Sequence, residues 1–479
     1  MINPIEKYVE EHQKELFEDL KYIVSFPSVK GPAEPDAPFG RACADCLAAC
    51  VELFRKNGFD AVISADGTYA LAYLGARPEE AKDGYTGIFG HADVVPVTPE
   101  EWVLTTPFAL KEHNDLVIGR GVNDDKDAVI GSLYILRAIR DLQIPLAHPI
   151  TVFIGMNEET GMADIKNFKK QHISCLPKVA VVPDSAFPVS FGERGSFHAD
   201  VRSNEPLSDI LAIEGGSAYN IVMAGLKCTV RSLPGLKNFL KDSGSDWLDI
   251  TDNGETLSLV ARGIPCHGSR PYLGESALLR LMKLFSGFSG FKGTDREIIA
   301  QTYAILCDCL GNNLGLADDD PYMGRLTMGN GIVKLADGHL FFTLDIRFGP
   351  GVNREAKKAD FVAAVAKKGF TATTSKGSVS FRLDENSTPA RAFLDAYRKY
   401  SGNPDATYFY MSGGTYSKHL YPECSSFSTG MSLGKYIDRL GLPAGHGKCH
   451  ESDECLGKPE FIRGIGVLGG IVLELDKSY

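Results

Sequence analysis

The sequence predicts an α/β protein with a second, α+β domain inserted into the first. In the first part of the chain, helical and strand patterns alternate, which is typical of a sheet with helices on its faces. After this part, strands follow one another without the alternation, and from Pro389 a helix and buried strands return. The 479 residues are also long for a single hydrophobic core. We therefore expect one domain from residues 1–186 and 388–479, with residues 187–387 inserted.

Hydrophobic periodicity predicts the elements of the first domain. Apolar residues at helical spacing indicate helices, and short apolar runs that end in glycine or an acidic residue indicate buried strands. The predicted helices span residues 6–25, 41–57, 126–142, 162–172 and 459–475. The predicted strands lie at residues 60–75 (a pair), 85–90, 150–156 and 178–183.

The inserted domain shows a different pattern. Its strands are expected within residues 189–203, 222–231, 256–266, 324–348 and 370–382. Helices are expected at residues 273–286, 295–310 and 352–368. Strands in succession favour antiparallel pairing, so this domain reads as α+β.

The charge balance argues against a nucleic-acid partner. The chain carries 61 acidic and 50 basic residues, a net charge of −11, whereas binding to phosphates requires a basic surface. No run of 18 apolar residues predicts a membrane span, and the first residues do not resemble a signal peptide. Because no export signal is seen, we expect a cytoplasmic protein whose cysteines are reduced thiols. The eleven cysteines are an odd number and could not all form disulfides in one chain.

Cys43, Cys46 and Cys50 form a run that could indicate a metal or cluster site. They fall on one face of the predicted helix 41–57, where cysteine behaves as a small buried hydrophobic residue. We interpret the run as core.

Five clusters of candidate metal ligands follow predicted strands. Because the carboxyl ends of strands in open α/β sheets collect ligands, we expect them at one edge. They are His91-Ala92-Asp93, Asn123-Asp124-Asp125, Glu158-Glu159, Asp184, and the segment from His446 to Glu454 that includes His450. Asp93 is placed to hold the second imidazole nitrogen of His91, as carboxylates do for metal-bound histidine. Adjacent side chains diverge, so of Glu158 and Glu159 one can bind a metal while the other acts as a base.

Taken together and in this order, the motifs resemble those of the M20 family of di-zinc metallopeptidases, and among them the PepV-type dipeptidases. The matching motifs are GHxDxVP from Gly90, GRGxxDxK from Gly119, EExG from Glu158, and HxxxE from His450. The resemblance spans nearly the whole chain. It implies a mixed-sheet zinc-peptidase catalytic domain with an inserted lid domain.

The resemblance also implies a role for each ligand. His91 and Asp184 would bind one zinc ion, Glu159 and His450 the other, and Asp124 would bridge them, with a cis peptide bond to Asp125. This donor set suits two Zn²⁺ ions, and also Co²⁺ or Mn²⁺. His450 is preferred over His446 because Glu454 completes the HxxxE motif. Two positions depart from the family pattern without being ligands: Asn157, where an aspartate is usual, and Asp127, where a glycine is usual.

Further residues correspond to the family's substrate-binding groups. Glu158 would be the general base that takes a proton from a water activated by the two zinc ions, and Asp93 would assist the catalytic centre. In the inserted domain, His267 would polarise the scissile carbonyl, and Asn220 and Arg347 would bind substrate. Backbone amides of Gly413, Gly414 and Thr415 would hold the substrate carboxylate. The plainer alternatives are a turn asparagine for Asn220 and a surface arginine at a strand end for Arg347.

The function expected from this resemblance is hydrolysis of short peptides by a monomeric dipeptidase. An M20-type deacylase of N-acyl amino acids is the first alternative. Asp184 favours the dipeptidase, because the deacylases tend to carry glutamate there. A non-catalytic metal-binding or peptide-binding protein is the second alternative, although it would not need Glu158 or His267. The chain has no Walker lysine motif, which argues against a nucleotide-binding protein.

Overall fold

A computed structural model describes residues 3–434, 436–442 and 445–479, which divide into two compact units. Unit 1 comprises Met1–Gly192, Arg382–Phe409 and Gly414–Tyr479, and unit 2 comprises Glu193–Phe381 and Tyr410–Gly413. Both units contain helices and strands.

The helices follow the predicted periodicity. They are α1 (Pro4–Glu11), α2 (Gln13–Val24), α3 (Arg41–Lys56), α4 (Lys126–Asp141), α5 (Ala163–Gln171), α6 (Leu236–Asp242), α7 (Ala277–Ser286), α8 (Gly293–Leu306), α9 (Arg354–Ala366), α10 (Thr388–Ser401), α11 (Ser417–Leu420) and α12 (Lys458–Leu475). The predicted helix 6–25 is interrupted at His12, whose Nδ1 lies 2.8 Å from the carbonyl of Tyr8. Among the helices of the described residues, none is long and apolar enough to cross a membrane.

The described residues also form 22 strands. They are β1 (Asp60–Ile63), β2 (Tyr69–Leu74), β3 (Thr86–His91), β4 (Lys111–His113), β5 (Leu116–Ile118), β6 (Ile150–Gly155), β7 (Val179–Val182), β8 (Ser190–Glu193), β9 (Gly195–Ser203), β10 (Ile210–Gly215), β11 (Gly225–Arg231), β12 (Leu248–Asp252), β13 (Thr256–Arg262), β14 (Asp319–Asp320), β15 (Gly324–Arg325), β16 (Thr327–Ala336), β17 (His339–Phe348), β18 (Phe370–Thr374), β19 (Phe381–Arg382), β20 (Phe409–Met411), β21 (Ser425–Ser428) and β22 (Cys455–Gly457). The sequence did not predict α6, β10 and β12, which are short and amphipathic.

The mixed sheet of unit 1 includes six strands in the order β1-β2-β6-β3-β7-β21. Strands β6, β3, β7 and β21 are mutually parallel, and β1 and β2 pair antiparallel at one side. Strands β3 and β6 are buried along their whole length, which explains their continuous apolar sequence. Parallel strands bring their carboxyl ends to one edge, so the segments that follow β3, β6 and β7 meet there.

Unit 2 contains an antiparallel sheet of eight strands in the order β12-β13-β11-β10-β16-β17-β9-β18. Helix α7 packs on β11 and β13, and α9 packs on β9 and β18. The long hairpin of β16 and β17 forms the middle of the sheet and contributes buried residues to its core. This is the α+β arrangement that the strand succession predicted.

The unit boundaries differ from the predicted limits of 187 and 387. Hydrogen bonds keep the flanking segments in unit 1, because Phe409 N–H donates to the carbonyl of Val189 and Leu383 N–H to that of Phe191. Residues 410–413, expected in the first domain, group with unit 2, where Arg194 N–H donates to the carbonyl of Met411.

Cys43, Cys46 and Cys50 lie on α3 and are at most 1% exposed, so the interpretation as core is confirmed. All eleven cysteines are free thiols.

Candidate functional site

The residues predicted to bind metal lie together in unit 1. His91 is the last residue of β3, Glu158 and Glu159 follow β6, and Asp184 follows β7. Asp124 precedes α4, and His450 precedes β22, which pairs with β5. The carboxyl edge of the parallel strands therefore carries His91, the two glutamates and Asp184. The small β4–β5–β22 sheet supplies Asp124 and His450.

Two groups of donors form within this cluster. His91, Glu158 and Asp184 make up the first group, and Asp124, Glu159 and His450 the second. In each group, one donor atom from each residue lies within 4.8 Å of the others. Each group combines one imidazole with two carboxylates, a set that suits zinc and related divalent cations.

Asp124 connects the two groups. Its Oδ1 lies 3.3 Å from Nε2 of His91, and its Oδ2 lies 3.0 Å from Nε2 of His450. His450 Nε2 is also 3.2 Å from Oε1 of Glu159, and His91 Nε2 is 3.9 Å from Oδ1 of Asp184. One carboxylate thus faces both imidazoles, one oxygen to each.

The peptide bond between Asp124 and Asp125 is cis, as expected from the family resemblance. Asp125 does not cap α4 with its side chain. Its Oδ2 instead accepts a hydrogen bond of 3.1 Å from the backbone N–H of His91.

Charge and burial oppose one another in this cluster. Burial raises the pKa of Asp184 to about 7, and burial together with Asp184 raises that of Glu158 well above its usual value. The neighbouring carboxylates of Asp124 and Glu159 raise the pKa of His450 to about 11. Burial alone would lower the pKa of His91, but Asp124, Asp184 and Asp93 outweigh this effect and raise it. So many buried carboxylates need positive charge close by, and the two imidazoles supply only part of it.

Two buried atoms of the cluster lie 3.2–3.3 Å from a neighbouring side chain but make no well-aligned hydrogen bond. They are Nε2 of His91 and Oε1 of Glu159, one from each donor group. Buried polar atoms are nearly always paired, so each unpaired atom needs an explanation. A cation bound to each group would satisfy both atoms, so the residues present fit a pair of metal ions.

Asp93 does more than hold His91. The second nitrogen of His91, Nδ1, lies 3.0 Å from the backbone carbonyl of Asp93 and 3.4 Å from its carboxylate. The backbone oxygen is therefore the nearer acceptor, which differs from the expected carboxylate contact. The carboxylate instead accepts the backbone N–H groups of Glu158 and Glu159, at 3.1 and 3.2 Å.

Glu454 organises the loop that carries Asp124. Its Oε2 accepts the backbone N–H of Gly121 at 3.1 Å and Nη1 of Arg120 at 2.7 Å, and its Oε1 accepts the N–H of Asn123 at 2.9 Å. Glu454 is fully buried. Glu454, the last residue of the HxxxE motif, thus binds the backbone of the loop before Asp124, although it lies only four residues after His450 in the sequence.

Asp164 and Tyr416 support the loop that carries the two glutamates. Oδ2 of Asp164 accepts the N–H groups of Met156 and Asn157, each at 2.8 Å, and the hydroxyl of Tyr416 at 2.5 Å. Gly155 makes this possible, because a Cβ atom at that position would stand 1.9 Å from the Tyr416 hydroxyl oxygen.

His446 and His450 occupy different environments. His446 Nδ1 lies 2.8 Å from Oδ2 of Asp453, whose carboxylate also accepts the N–H groups of Val103 and Leu104. His450 adopts a left-handed backbone with φ of 67° and faces Asp124 and Glu159. The donor cluster thus contains His450, and His446 is occupied elsewhere.

The substrate-binding residues predicted in the inserted domain lie in unit 2. Asn220 and His267 are exposed and neighbouring, since the carbonyl of Asn220 accepts the N–H of Gly268 at 2.6 Å. Nδ1 of His267 lies 2.6 Å from the hydroxyl of Ser269. This hydrogen bond fixes the orientation of the imidazole ring.

Arg347 is not a surface arginine. It is 8% exposed, and its Nε lies 2.9 Å from Oδ2 of the fully buried Asp345. Its Nη1 donates to the carbonyl of Ser412 at 2.5 Å. The guanidinium is therefore held by Asp345 on one side and by the 410–413 segment of unit 2 on the other.

The predicted glycine turn is divided between the units: Gly413 belongs to unit 2, and Gly414 and Thr415 to unit 1. The hydroxyl of Thr415 is buried, 2.9 Å from that of Ser428, and it accepts the N–H of Ser417. Only the backbone amides of this turn thus stay candidates for binding substrate.

Sequence reasoning missed Asp164 and Tyr416 and did not foresee what Glu454 contacts. Asp164 lies near the start of α5, where acidic residues are common for helix-dipole reasons alone. A signal was present in Gly155, a glycine at the end of an apolar strand, because glycine within a strand often marks close approach of other groups.

The fold and this donor cluster are those of a metallopeptidase. A family model described as "Peptidase family M20/M25/M40" matches residues 87–474. The chain belongs to this family of peptidases, which are hydrolases.

Curated relatives carry a narrower name. A "putative dipeptidase" of Staphylococcus epidermidis is 26% identical over 430 residues, which cover 86% of this chain and 88% of the relative. A "putative dipeptidase" of Staphylococcus haemolyticus is 26% identical over 441 residues, covering 86% and 89%.

Solved structures share the fold. The dipeptidase Dug1p from Saccharomyces cerevisiae matches with a TM-score of 0.62 and 14% identity over 99% of this chain and 98% of its own. Human carnosine dipeptidase 1 matches with a TM-score of 0.58 and 17% identity over 99% of each chain. These similarities support the predicted fold class.

Proposed function

We propose that this chain is a metal-dependent dipeptidase whose active centre is the cluster around Asp124. The observation that carries the proposal is the position of the Asp124 carboxylate, 3.3 Å from His91 and 3.0 Å from His450. A side chain that faces two donor groups at once is the arrangement that a pair of cations needs.

Five side chains would hold the two ions: His91 and Asp184 on one side, Glu159 and His450 on the other, and Asp124 between them. Two Zn²⁺ ions, or Co²⁺ or Mn²⁺ in their place, would polarise the substrate carbonyl and make water a better nucleophile near neutral pH. The unpaired Nε2 of His91 and Oε1 of Glu159 support this assignment.

Glu158 would move the proton. It accepts a proton from the attacking water and then donates it to the departing amine, as general acid–base catalysis requires. Its backbone N–H is fixed by Asp93, and the carboxylate of Glu158 lies within reach of His91 and Asp184. The hydrogen bond to Asp93 would thus keep the carboxylate of Glu158 beside the reacting water.

Unit 2 would supply substrate recognition, by analogy with the lid of the family. In this role His267 polarises the scissile carbonyl, and Asn220 and Arg347 bind substrate. The backbone amides of Gly413, Gly414 and Thr415 bind its terminal carboxylate. A fixed site for the carboxylate would place the last peptide bond of the substrate at the metal centre, as cleavage of a dipeptide requires.

A dipeptide is favoured over an N-acyl amino acid for two reasons. Asp184 stands where the family's deacylases tend to carry glutamate, and the relatives from Staphylococcus are named as dipeptidases. We therefore extend the dipeptidase activity to this chain.

The test is paired hydrolysis with metal-stripped protein. After chelation, Zn²⁺, Co²⁺ or Mn²⁺ is restored, and free dipeptides are compared with N-acetyl and N-succinyl amino acids. Glu158→Gln is assayed beside Glu100→Gln, an exposed glutamate used as a matched control. Metal-dependent cleavage of dipeptides that Glu158→Gln alone abolishes supports the proposal.

Other results would redirect the proposal. Cleavage of the acylated amino acids in place of dipeptides would assign the chain to the deacylases. Two bound metal ions without cleavage of either class would indicate a binding protein.

A further inference from the structure

Three possible metal ligands meet at the end of α5 opposite the donor cluster. They are Glu79 from the segment between β2 and β3, His172 directly after α5, and Cys175 in the following turn. Helix α5 has nine residues, so about 13 Å of helix separates these residues from the segment that carries Glu158. The group is therefore distinct from the candidate active centre.

The spacing of the donor atoms fits one tetrahedral ion. Nδ1 of His172 lies 3.3 Å from Oε1 of Glu79 and 3.8 Å from Sγ of Cys175. Donor atoms from all three residues lie within 4.8 Å of one another. Bonds of about 2.0–2.3 Å at tetrahedral angles place neighbouring ligand atoms about 3.3–3.6 Å apart.

A directed chain of hydrogen bonds assigns the protons of the His172 ring. Nε2 of Gln171 donates to Oδ2 of Asp66 at 2.8 Å, which leaves Oε1 of Gln171 to accept the hydroxyl of Tyr69 at 2.6 Å. The Tyr69 oxygen lies 3.1 Å from Nε2 of His172 and has no further proton to give. Nε2 must therefore carry the proton, and in a neutral ring Nδ1 presents its lone pair.

This lone pair faces a carboxylate. Two acceptors 3.3 Å apart repel unless a positive group stands between them, and the Cys175 thiol is only a weak donor at 3.8 Å. A cation bound to Nδ1, the carboxylate and the thiolate resolves the conflict. Tyr69 then plays the part that a hydrogen-bonded partner plays for metal-bound histidine, fixing the tautomer and the ring orientation.

We propose that Glu79, His172 and Cys175 form an additional cation site, for Zn²⁺ or a similar thiophilic divalent ion. The mixed nitrogen, oxygen and sulfur set excludes Mg²⁺ and Ca²⁺, which take oxygen ligands. The side chain of Glu79 is 58% exposed, so water can complete the coordination. Bound metal would fasten the segment between β2 and β3 to the end of α5, a structural role independent of turnover.

The experiment is a Co²⁺ titration of metal-stripped protein, followed by absorption in the near ultraviolet. A cysteine ligand gives a thiolate-to-Co²⁺ charge-transfer band, which imidazole and carboxylate ligands do not give. The variants are Cys175→Ser and His172→Gln. The controls are Cys449→Ser, beside His450 in the candidate active centre, and Cys307→Ser, an exposed thiol of unit 2. Circular dichroism verifies that each variant is folded.

We expect the band in the wild type and both control variants, and its loss in Cys175→Ser together with one equivalent of bound metal. His172→Gln should weaken binding at this site at least tenfold while dipeptide turnover stays within twofold of wild type. A band that survives in Cys175→Ser, or that disappears in Cys449→Ser instead, would overturn the proposal. So would the absence of any band, which is the result expected if His172 carries two protons and simply pairs with Glu79. Because dipeptide hydrolysis is scored separately, this site and the active centre are tested independently.

Discussion

Oδ1 of Asp93 lies 3.1 Å from the backbone nitrogen of Glu158, and this hydrogen bond connects the segment after β3 to the segment after β6. The other carboxylate oxygen accepts the N–H of Glu159 at 3.2 Å. One side chain therefore sets the direction in which two consecutive glutamates leave the backbone.

Asp93→Asn tests this relationship. An amide offers one acceptor where the carboxylate offers two, so either Glu158 or Glu159 loses its backbone partner. We expect turnover or metal affinity to fall about 10–100-fold, the usual effect of changing groups that orient metal ligands. The measurement is kcat and metal stoichiometry, with Asp45→Asn on the exposed side of α3 as the control. Unchanged kinetics would mean that the Glu158–Glu159 loop holds its shape without Asp93.

Glu158→Gln and Glu159→Gln separate a proton carrier from a metal ligand. Both residues belong to donor groups, so position alone does not distinguish their roles. We expect Glu158→Gln to retain both metal ions and lose about 10²–10⁴-fold in kcat, the range for general acid–base groups. Glu159→Gln should instead lose one ion. Atomic absorption after dialysis gives the count, and an ion missing from Glu158→Gln would make that residue a ligand.

Replacing His446 and His450 by alanine, one at a time, tests the assignment of His450 as a metal ligand. His450→Ala removes the imidazole that faces Asp124 and Glu159, so one metal ion and nearly all turnover should be lost. His446→Ala removes one hydrogen-bonding partner of Asp453. We expect this variant to lose about 1 kcal/mol of stability and to retain both ions. Calorimetric titration with Zn²⁺ compares the two variants, and equal stoichiometries would contradict the assignment.

Gly155→Ala tests the packing behind the glutamate loop. The added methyl group would stand 1.9 Å from the Tyr416 hydroxyl oxygen and 2.5 Å from Oδ2 of Asp164, so both groups must move. We expect a loss of about 1–3 kcal/mol in the free energy of unfolding, as for other overpacked cores, and lower turnover. Urea unfolding provides the measurement. Gly351→Ala, where a Cβ meets nothing within 4 Å, should change neither quantity.

The sequence allowed the location of the donor cluster to be predicted, because strand direction decides it. Buried apolar runs marked β3, β6 and β7, and parallel strands end at one edge, so His91, Glu159 and Asp184 had to meet there. Two domains were predicted because the alternation of helices and strands gives way to strands in succession. These predictions rest on patterns within 10 to 20 neighbouring residues.

The supporting contacts could not be predicted in this way. Tyr416 and Asp164 are 252 positions apart, and Glu454 is 333 positions from the Gly121 N–H that it accepts. No local pattern indicates which distant residue satisfies a buried carboxylate. For the same reason, the grouping of residues 410–413 with unit 2 was missed, since it depends on contacts with Arg194 and Arg347.

The space left by Gly155 has an evolutionary consequence. The tyrosine hydroxyl and the aspartate oxygen occupy the volume that any side chain at this position would need. The three positions therefore form one heritable unit, in which the glycine cannot be replaced while the other two stay as they are. In a family alignment, members with a larger residue at the last position of this strand should also have lost the tyrosine–aspartate pair and must anchor their glutamate loop by other means.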